Sequence, residues 1–373
     1  MEEQGWYGDN SAQGPWVSYD ELGKVTDSTY FLNGSISGYK ASFYPNGVKS
    51  EVERYRSGWL LETIQYDSTG KELRHNYFKN GNGKMVFVFP DGKPALELDY
   101  KKGLPDGARK TFYFDGKPNE LSYYAHGVPN GSYRSWTHTG ALHTEGQHLN
   151  GDPAGVWKNY YENGKVRRKT EYRFGKLDGK DTYYYENGNI EVEISMKDGQ
   201  RDGLYRYMDP DGTLLFQVNY RQDAPISYSW LDKRDSLMPA VAIQRGTAKI
   251  KTYFPNGNVS AEVEFNNGFL HGEYKIYYTN GQPHIVKHLI YGRFEGDIIE
   301  YYPSGKTKSI TPYLNDKEHG VTKEFYENGT IKQEAGMYLD SRHGPTKHYD
   351  ANGKLKSVDT YYNGKLLAIK NAQ

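Results

Sequence analysis

The residues with the most obvious chemical potential are His138, His143, Glu145 and His148, a set of imidazoles and one carboxylate within eleven positions that suggests a metal centre. Local geometry argues against it. Thr139-Gly140 reads as a chain reversal, which puts His143 across from Trp136, and His143 and His148, five apart in a strand, point to opposite faces. His271, His319 and His343 each stand just before a glycine, in a slot that Asp106, Asp178 and Asp202 fill elsewhere, so a turn role is expected for them. Equivalent positions in successive units would lie about 10 Å apart, too far for two such histidines to share an ion. The chain has no nucleophile elbow, no phosphate-binding glycine loop leading into a helix and no HExxH pair. Aspartate and glutamate occur throughout without singling out one catalytic pair. The expectation is a non-enzyme without metal or cofactor.

What must position these side chains is a repeat. Turn glycines fall at Gly23, Gly47, Gly70, Gly92, Gly116, Gly140, Gly164, Gly188 and Gly212, and again at Gly257, Gly281, Gly305, Gly329 and Gly353, a beat of about 24 residues. Most follow asparagine or aspartate, as in Asn163-Gly164 and Asp115-Gly116, and the dipeptide predicts a two-residue type I′ hairpin turn. A second turn position lies eleven residues later, at Gly34, Gly103, Gly175 and Gly292 for example, with Asp223, Asp316 and Asp340 as variants. A third glycine precedes the first by nine, as at Gly107, Gly131 and Gly203. The short segments between are rich in Tyr, Phe, Val, Ile and Thr, which suits strands and is too short for helices. The fold class expected is all-β: an elongated single-sheet meander of about 14 hairpin repeats, twisted or curved.

Rows of side chains follow from the beat. Four residues before the turn glycine the slot is nearly always aromatic (Phe43, Phe112, Trp136, Tyr160, Tyr184), and eight residues after it stand Tyr55, Tyr100, Tyr220 and Phe265. Pleat alternation puts these two rows on opposite faces unless a bulge resets the register. A third row, three residues before the glycine, is Tyr44, Phe89, Tyr113, Tyr161, Tyr185, Phe254, Tyr278, Tyr302 and Tyr326. These nine residues are the candidate interaction surface, with Tyr161–Val166, Tyr185–Ile190 and Tyr326–Ile331 as expected cross-strand pairs. On the opposite face Arg134–Glu145, Lys251–Glu262 and Lys323–Glu334 are expected to pair.

Forty-seven basic and forty-seven acidic residues cancel, with no long run of either sign, so nucleic acid and anionic bilayers are not the expected partners. No stretch of eighteen apolar residues is present, so no integral membrane segment is expected. Cysteine is absent, which excludes disulfides. The opening Met1-Glu2-Glu3-Gln4 carries no secretory signal, pointing to the cytoplasm for the chain as it stands, or to the cell envelope if a leader has been trimmed. Residues 1–13 read as a flexible tail, 14–221 as an N-terminal repeat array, 222–247 as a degenerate repeat or joint with Arg234-Asp235 replacing the turn dipeptide, and 248–373 as a C-terminal array.

Units such as Gly155-Val156-Trp157-Lys158-Asn159-Tyr160-Tyr161-Glu162-Asn163-Gly164, and the Tyr184-to-Gly188 and Phe325-to-Gly329 runs, resemble the variant MORN repeat of bacterial YwqK-like antitoxins. The resemblance covers nearly all of 14–365 and implies successive hairpins that mediate protein contacts. Two function classes follow. One is a non-catalytic scaffold for a protein partner, an antitoxin or immunity-type protein being one instance. The other is a cell-envelope module that binds a glycan or extended peptide along an aromatic surface.

Overall fold

The computed structural model describes residues 2–20, 22–56 and 58–372, and contains 34 strands and no helix among them. Two compact units are present: Met1–Val166 with Glu171–Lys176, and Arg167–Thr170 with Leu177–Gln373. In the first, antiparallel strands pair in chain order from Glu2–Gly8 to Glu72–Tyr77 and, after a break, from Gly83–Val88 to Asp152–Tyr160. In the second they run from Ile190–Lys197 to Val241–Ala242 and, after another break, from Ala248–Tyr253 to Lys365–Asn371. The architecture is an all-β hairpin meander, not closed into a barrel. Its first strand, Glu2–Gly8, lies within the stretch read as a tail and is paired with Ser11–Tyr19 through an Asp9-Asn10 turn. Met1 and Gln373 lie outside the described residues.

The two reversals in each repeat use different turn chemistry, and the type I′ expectation fell on the wrong one. At the first reversal, as in Asn46-Gly47 and Asn163-Gly164, only the glycine has positive φ. In the loop Tyr44–Gly47, the Gly47 amide donates to the Tyr44 carbonyl at 2.8 Å and the Tyr44 amide to the Val48 carbonyl at 2.8 Å. That is a type I turn followed by a left-handed glycine forming a bulge. The second position is the type I′ turn: Asn33-Gly34 has φ 53° and 75°, and even Phe174-Gly175 has 49° and 74°.

Asparagine is favoured in the first loop because its side chain works in both directions. The Asn256 Oδ1 accepts from the Asn258 amide at 3.0 Å, while its Nδ2 donates to the Thr279 carbonyl of the next repeat at 2.8 Å. Asn187, Asn280 and Asn328 reach Pro210, Pro303 and Ala351 in the same way. Aspartate has no donor. At Asp115-Gly116-Lys117 the lysine Nζ takes over, donating to the His138 carbonyl at 3.1 Å.

The third glycine is no reversal but a bulge inside a strand. Between Ser122↔Tyr133 and Tyr124↔Pro129 the register shifts at Gly131, whose φ is 124° and whose missing Cβ would stand 3.0 Å from Tyr123 Cβ. The loop bulge also moves the expected cross-strand pairs by one: Ile190 faces Tyr184 and Ile331 faces Phe325, rather than Tyr185 and Tyr326. Trp136 likewise pairs with Leu142, not His143. Past the bulge the register recovers, so Arg134↔Glu145, Lys251↔Glu262 and Lys323↔Glu334 are partners.

Those pairs define a charged face. Glu262 meets Lys251 Nζ at 2.7 Å and accepts the Tyr277 hydroxyl at 2.8 Å, and Glu145 accepts Lys158 and the Tyr160 hydroxyl. In the second unit the other face carries mostly apolar residues. There this face is buried: Leu215, Phe216, Val218 and Tyr220 pack with Ile250, Ala261, Val263, Phe265, Ile276 and Leu289 in one cluster. Residues on the two sides of the 222–247 stretch therefore share a core. That stretch keeps the beat. Asp235, at φ 56°, takes the glycine's place in a loop with the same hydrogen bonds, Asp235 amide to Asp232 carbonyl and Asp232 amide to Ser236 carbonyl. Arg245-Gly246 is the type I′ turn that follows, and there the ladder shrinks to the single bridge Gln244↔Thr247.

Candidate interaction surface

The nine residues of the candidate surface occupy the first position of the type I loops, and none is exposed. Phe254 and Tyr278 are buried, and Tyr44, Phe89, Tyr113, Tyr161, Tyr185, Tyr302 and Tyr326 are half-buried. The hydroxyls of six of these tyrosines clasp the next repeat. Tyr113 donates to the Trp136 carbonyl at 2.7 Å, Tyr185 to Met208 at 2.7 Å, Tyr278 to Tyr301 at 2.7 Å, Tyr302 to Phe325 at 2.7 Å and Tyr326 to Tyr349 at 2.9 Å. Tyr44 does the same to Tyr66 at 3.0 Å. Each carbonyl belongs to the residue just before the next loop, so the row ties loop to loop along the array. The tyrosines recur because a phenol ring spans one strand pair and ends in a donor.

The histidines have structural partners. His148 lies in a ring cluster with Tyr133 at 5.8 Å and Trp157 at 4.9 Å, and burial lowers its pKa. The slot before the bulge glycine holds an acceptor for the amide of the type I′ turn in the next repeat: His271 Nδ1 accepts from Tyr291, Asp106 from His126 and Glu295 from Asn315. Histidine, aspartate and glutamate each supply an acceptor at these three positions. Among the described residues no group of three or more His, Asp or Glu side chains stands close enough to hold a metal ion. No helix among them is long and apolar enough to cross a membrane.

Sequence spacing gave no sign of a titratable cluster inside the second unit. His284 is buried, with its ring 4.5 Å from Tyr278 and 5.8 Å from Tyr185. Burial pushes its pKa down to about 4. Glu191 accepts the Tyr207 hydroxyl at 2.9 Å and is raised by burial, while Lys287 is lowered by burial with Glu191 and Glu300 opposing that shift. These groups come from repeats on opposite sides of the 222–247 stretch. Only the packing of the two faces brings them together, and that pairing has no local sequence signature.

Many of the exposed apolar residues lie at the type I′ edge. Where the last residue before this turn is Lys197 or Arg221 in earlier repeats of the second unit, it is Ile290, Leu314, Tyr338 and Tyr362 in the four C-terminal ones, each 42–52% exposed. Phe269 and Tyr291 add to the same edge. The signal lay in the sequence, one position beside the turn glycines, but it is visible only once type I′ geometry is assigned to that turn. In a two-residue hairpin the flanking residues project at the sheet margin, where no further strand covers them.

The profile of the MORN repeat variant matches residues 154–173, 177–198, 247–267, 270–288, 294–315, 318–340 and 342–363. No curated protein matches over the sequence. Among solved structures, the crystal structure of TcdB2-TccC3-TEV aligns at 14% identity and a TM-score of 0.17, over 93% of this chain and 23% of that one. The Photorhabdus luminescens Tc holotoxin pore aligns at 11% identity and a TM-score of 0.15, over 95% and 19%. The chain thus spans about a quarter or less of the length of those proteins. Seven stretches of the chain, at the hairpin period, are thus similar to the MORN repeat variant.

Proposed function

We propose that this protein is a non-catalytic scaffold that binds a protein partner, in the manner of an antitoxin or immunity protein. The observation that carries the reading is the exposed row Ile290, Leu314, Tyr338 and Tyr362. Four apolar side chains recur at one position of four consecutive hairpins as a strip along one edge, and a surface of this kind is what a protein interface buries. The buried tyrosines of the loops serve this surface from beneath by holding successive repeats in register, so the nine residues Tyr44 to Tyr326 contribute to binding through the rigidity of the array. Absence of net charge suits recognition by shape and apolar contact over electrostatic capture.

The test is affinity capture from lysate of the native organism, with the whole chain as bait and a variant carrying Ile290→Ser, Leu314→Ser, Tyr338→Ser and Tyr362→Ser as control. One protein recovered by the parent and lost by the folded variant supports the reading. Recovery of the same protein by both moves the interface elsewhere on the array. Recovery of glycan and no protein replaces the scaffold with the envelope-binding module.

A further inference from the structure

At the start of the same edge, three consecutive repeats of the second unit form a shallow open groove of about 490 Å³ lined by Phe269, Ile290, Tyr291, Arg293, Glu295 and Asn315. We propose that this groove binds a peptide segment of the partner in which a bulky apolar side chain stands next to a carboxylate; the inference rests on the scaffold reading and names what its surface selects.

Three features of the groove carry it. The first is an apolar floor open to solvent: Phe269, Ile290 and Tyr291 are 54%, 45% and 53% exposed, and Phe269 packs within 3.4 Å of where a side chain on Gly292 would begin. Apolar surface of this extent is stabilised by covering it.

The second is Arg293. One repeat later its structural counterpart is Lys317, whose Nζ meets Asp340 Oδ2 at 2.5 Å while the Glu318 amide donates to the other oxygen of that carboxylate at 2.8 Å. At Arg293 the corresponding aspartate is present and the backbone contact is kept, the Phe294 amide donating to Asp316 Oδ1 at 2.6 Å. The guanidinium nevertheless makes no hydrogen bond or ion pair among the described residues, and it lines the groove instead. A planar fork of donors left open beside an apolar floor is suited to a carboxylate.

The third is that the groove's own carboxylate, Glu295, makes no ion pair with Arg293 and is held by the backbone beside it. Glu295 Oε2 is engaged by the Asn315 amide at 3.1 Å, which leaves the Asn315 side chain to offer a donor and an acceptor to a peptide backbone.

The test is an NMR titration of the full chain with three probes: the pentapeptide acetyl-Ala-Phe-Asp-Leu-Ala-amide, its neutral analogue with asparagine in place of aspartate, and chitotetraose. The acidic peptide is expected to shift the amide resonances of Phe269, Tyr291, Arg293 and Asn315 and to bind about three- to fivefold more tightly than the neutral one. Arg293→Gln should abolish that difference without weakening the neutral peptide, and Phe269→Ser should weaken both. Equal affinity for the two peptides, shifts confined to other repeats, no shifts with millimolar peptide, or a response to chitotetraose alone would overturn the proposal. If the peptides fail while partner capture still depends on the strip from Ile290 to Tyr362, the groove is wrong and the scaffold stands. If capture is also indifferent to the strip, both are wrong.

Discussion

Each unit contains one place where the ladder of hairpins is broken, and the two joints are solved differently. At Lys79–Asn82 and at Gln244–Thr247 only an isolated bridge remains, flanking the turns Asn80-Gly81 and Arg245-Gly246. Both glycines are forced by close approach. A Cβ on Gly81 would lie 2.4 Å from the Gly103 amide nitrogen, and one on Gly246 would lie 2.4 Å from that of Gly268. The surroundings then diverge.

At the first joint the apolar cluster is small, Leu60, Phe78, Met85 and Leu98, and side-chain amides stand in for a neighbouring strand. Gln65 donates to and accepts from the backbone of Val88 at 2.7 and 2.8 Å, and Asn76 does the same for Val86 at 2.9 and 3.1 Å. At the second joint two apolar faces close on each other around Phe216 and Phe265. One repeat type therefore yields either a polar hinge or a dry core, depending on what lines the strands beside the break. Residues Leu214–Arg221 read Leu-Leu-Phe-Gln-Val-Asn-Tyr-Arg, with apolar side chains on every core-facing position, whereas Lys49–Arg56 offers Val52 and Tyr55 among charges.

The contrast is sharpest under large-to-small substitution. Phe216→Ala should cost about 3–5 kcal/mol, since the ring is 1% exposed inside the larger cluster. Denaturant unfolding of parent and variant measures the loss, and a cost below about 1 kcal/mol would mean that the two faces do not pack as described.

A second distinction lies in pH. His284 is held neutral by burial, with Glu300 favouring its charged form and Lys308 and Lys287 opposing it. A base whose folded pKa is depressed to about 4 supports the fold fully above its unfolded value near 6.5, and that support fades as pH falls from there toward 4. The loss is on the order of 3 kcal/mol in the second unit. His284→Phe should flatten this limb of the stability–pH curve between pH 6.5 and 4, and an unchanged slope would contradict the burial.

At the polar hinge the expected effect is somewhat smaller. Gln65→Ala leaves both backbone groups of Val88 without their partner and should destabilise the first unit by about 1–3 kcal/mol. Thermal melts of this variant beside a substitution at an exposed glutamine, such as Gln200→Ala, separate hinge from generic loss.

Gly164→Val places a β-branched residue at φ 80°, where open space surrounds the missing Cβ. Backbone strain alone then sets the cost, again roughly 1–3 kcal/mol. Smallest is the clasp: Tyr302→Phe removes one hydroxyl bond to Phe325 and should cost about 1 kcal/mol by chemical denaturation.

Much of this was legible before the structure. The 24-residue beat, the strand content, the opposite-face placement of the Phe43 and Tyr220 rows and the Arg134–Glu145 type of pair all follow from alternation and turn spacing. The errors of strand pairing share one physical cause. Asn-Gly was given to a two-residue turn, but here the asparagine is selected for its bond to the following repeat, so the loop is one residue longer and its flanking pairs shift by one. That shift moved Ile190 from Tyr185 to Tyr184 and hid the exposed edge, which belongs to the other turn. The core contacts of Leu215 with residues beyond 247, and the approach of Glu191 to Lys287, are long-range consequences of closing two faces. No local pattern in either strand records them.

The most direct test of the two-joint account is native-state hydrogen exchange resolved by residue. The closed core predicts that amides of Leu214–Arg221 and Val259–Asn266 exchange only through global unfolding of the second unit, while those of Lys49–Arg56 and Glu72–Tyr77 exchange through smaller openings around the polar hinge. Equal protection of the four strands, or weaker protection of the first two, would contradict it.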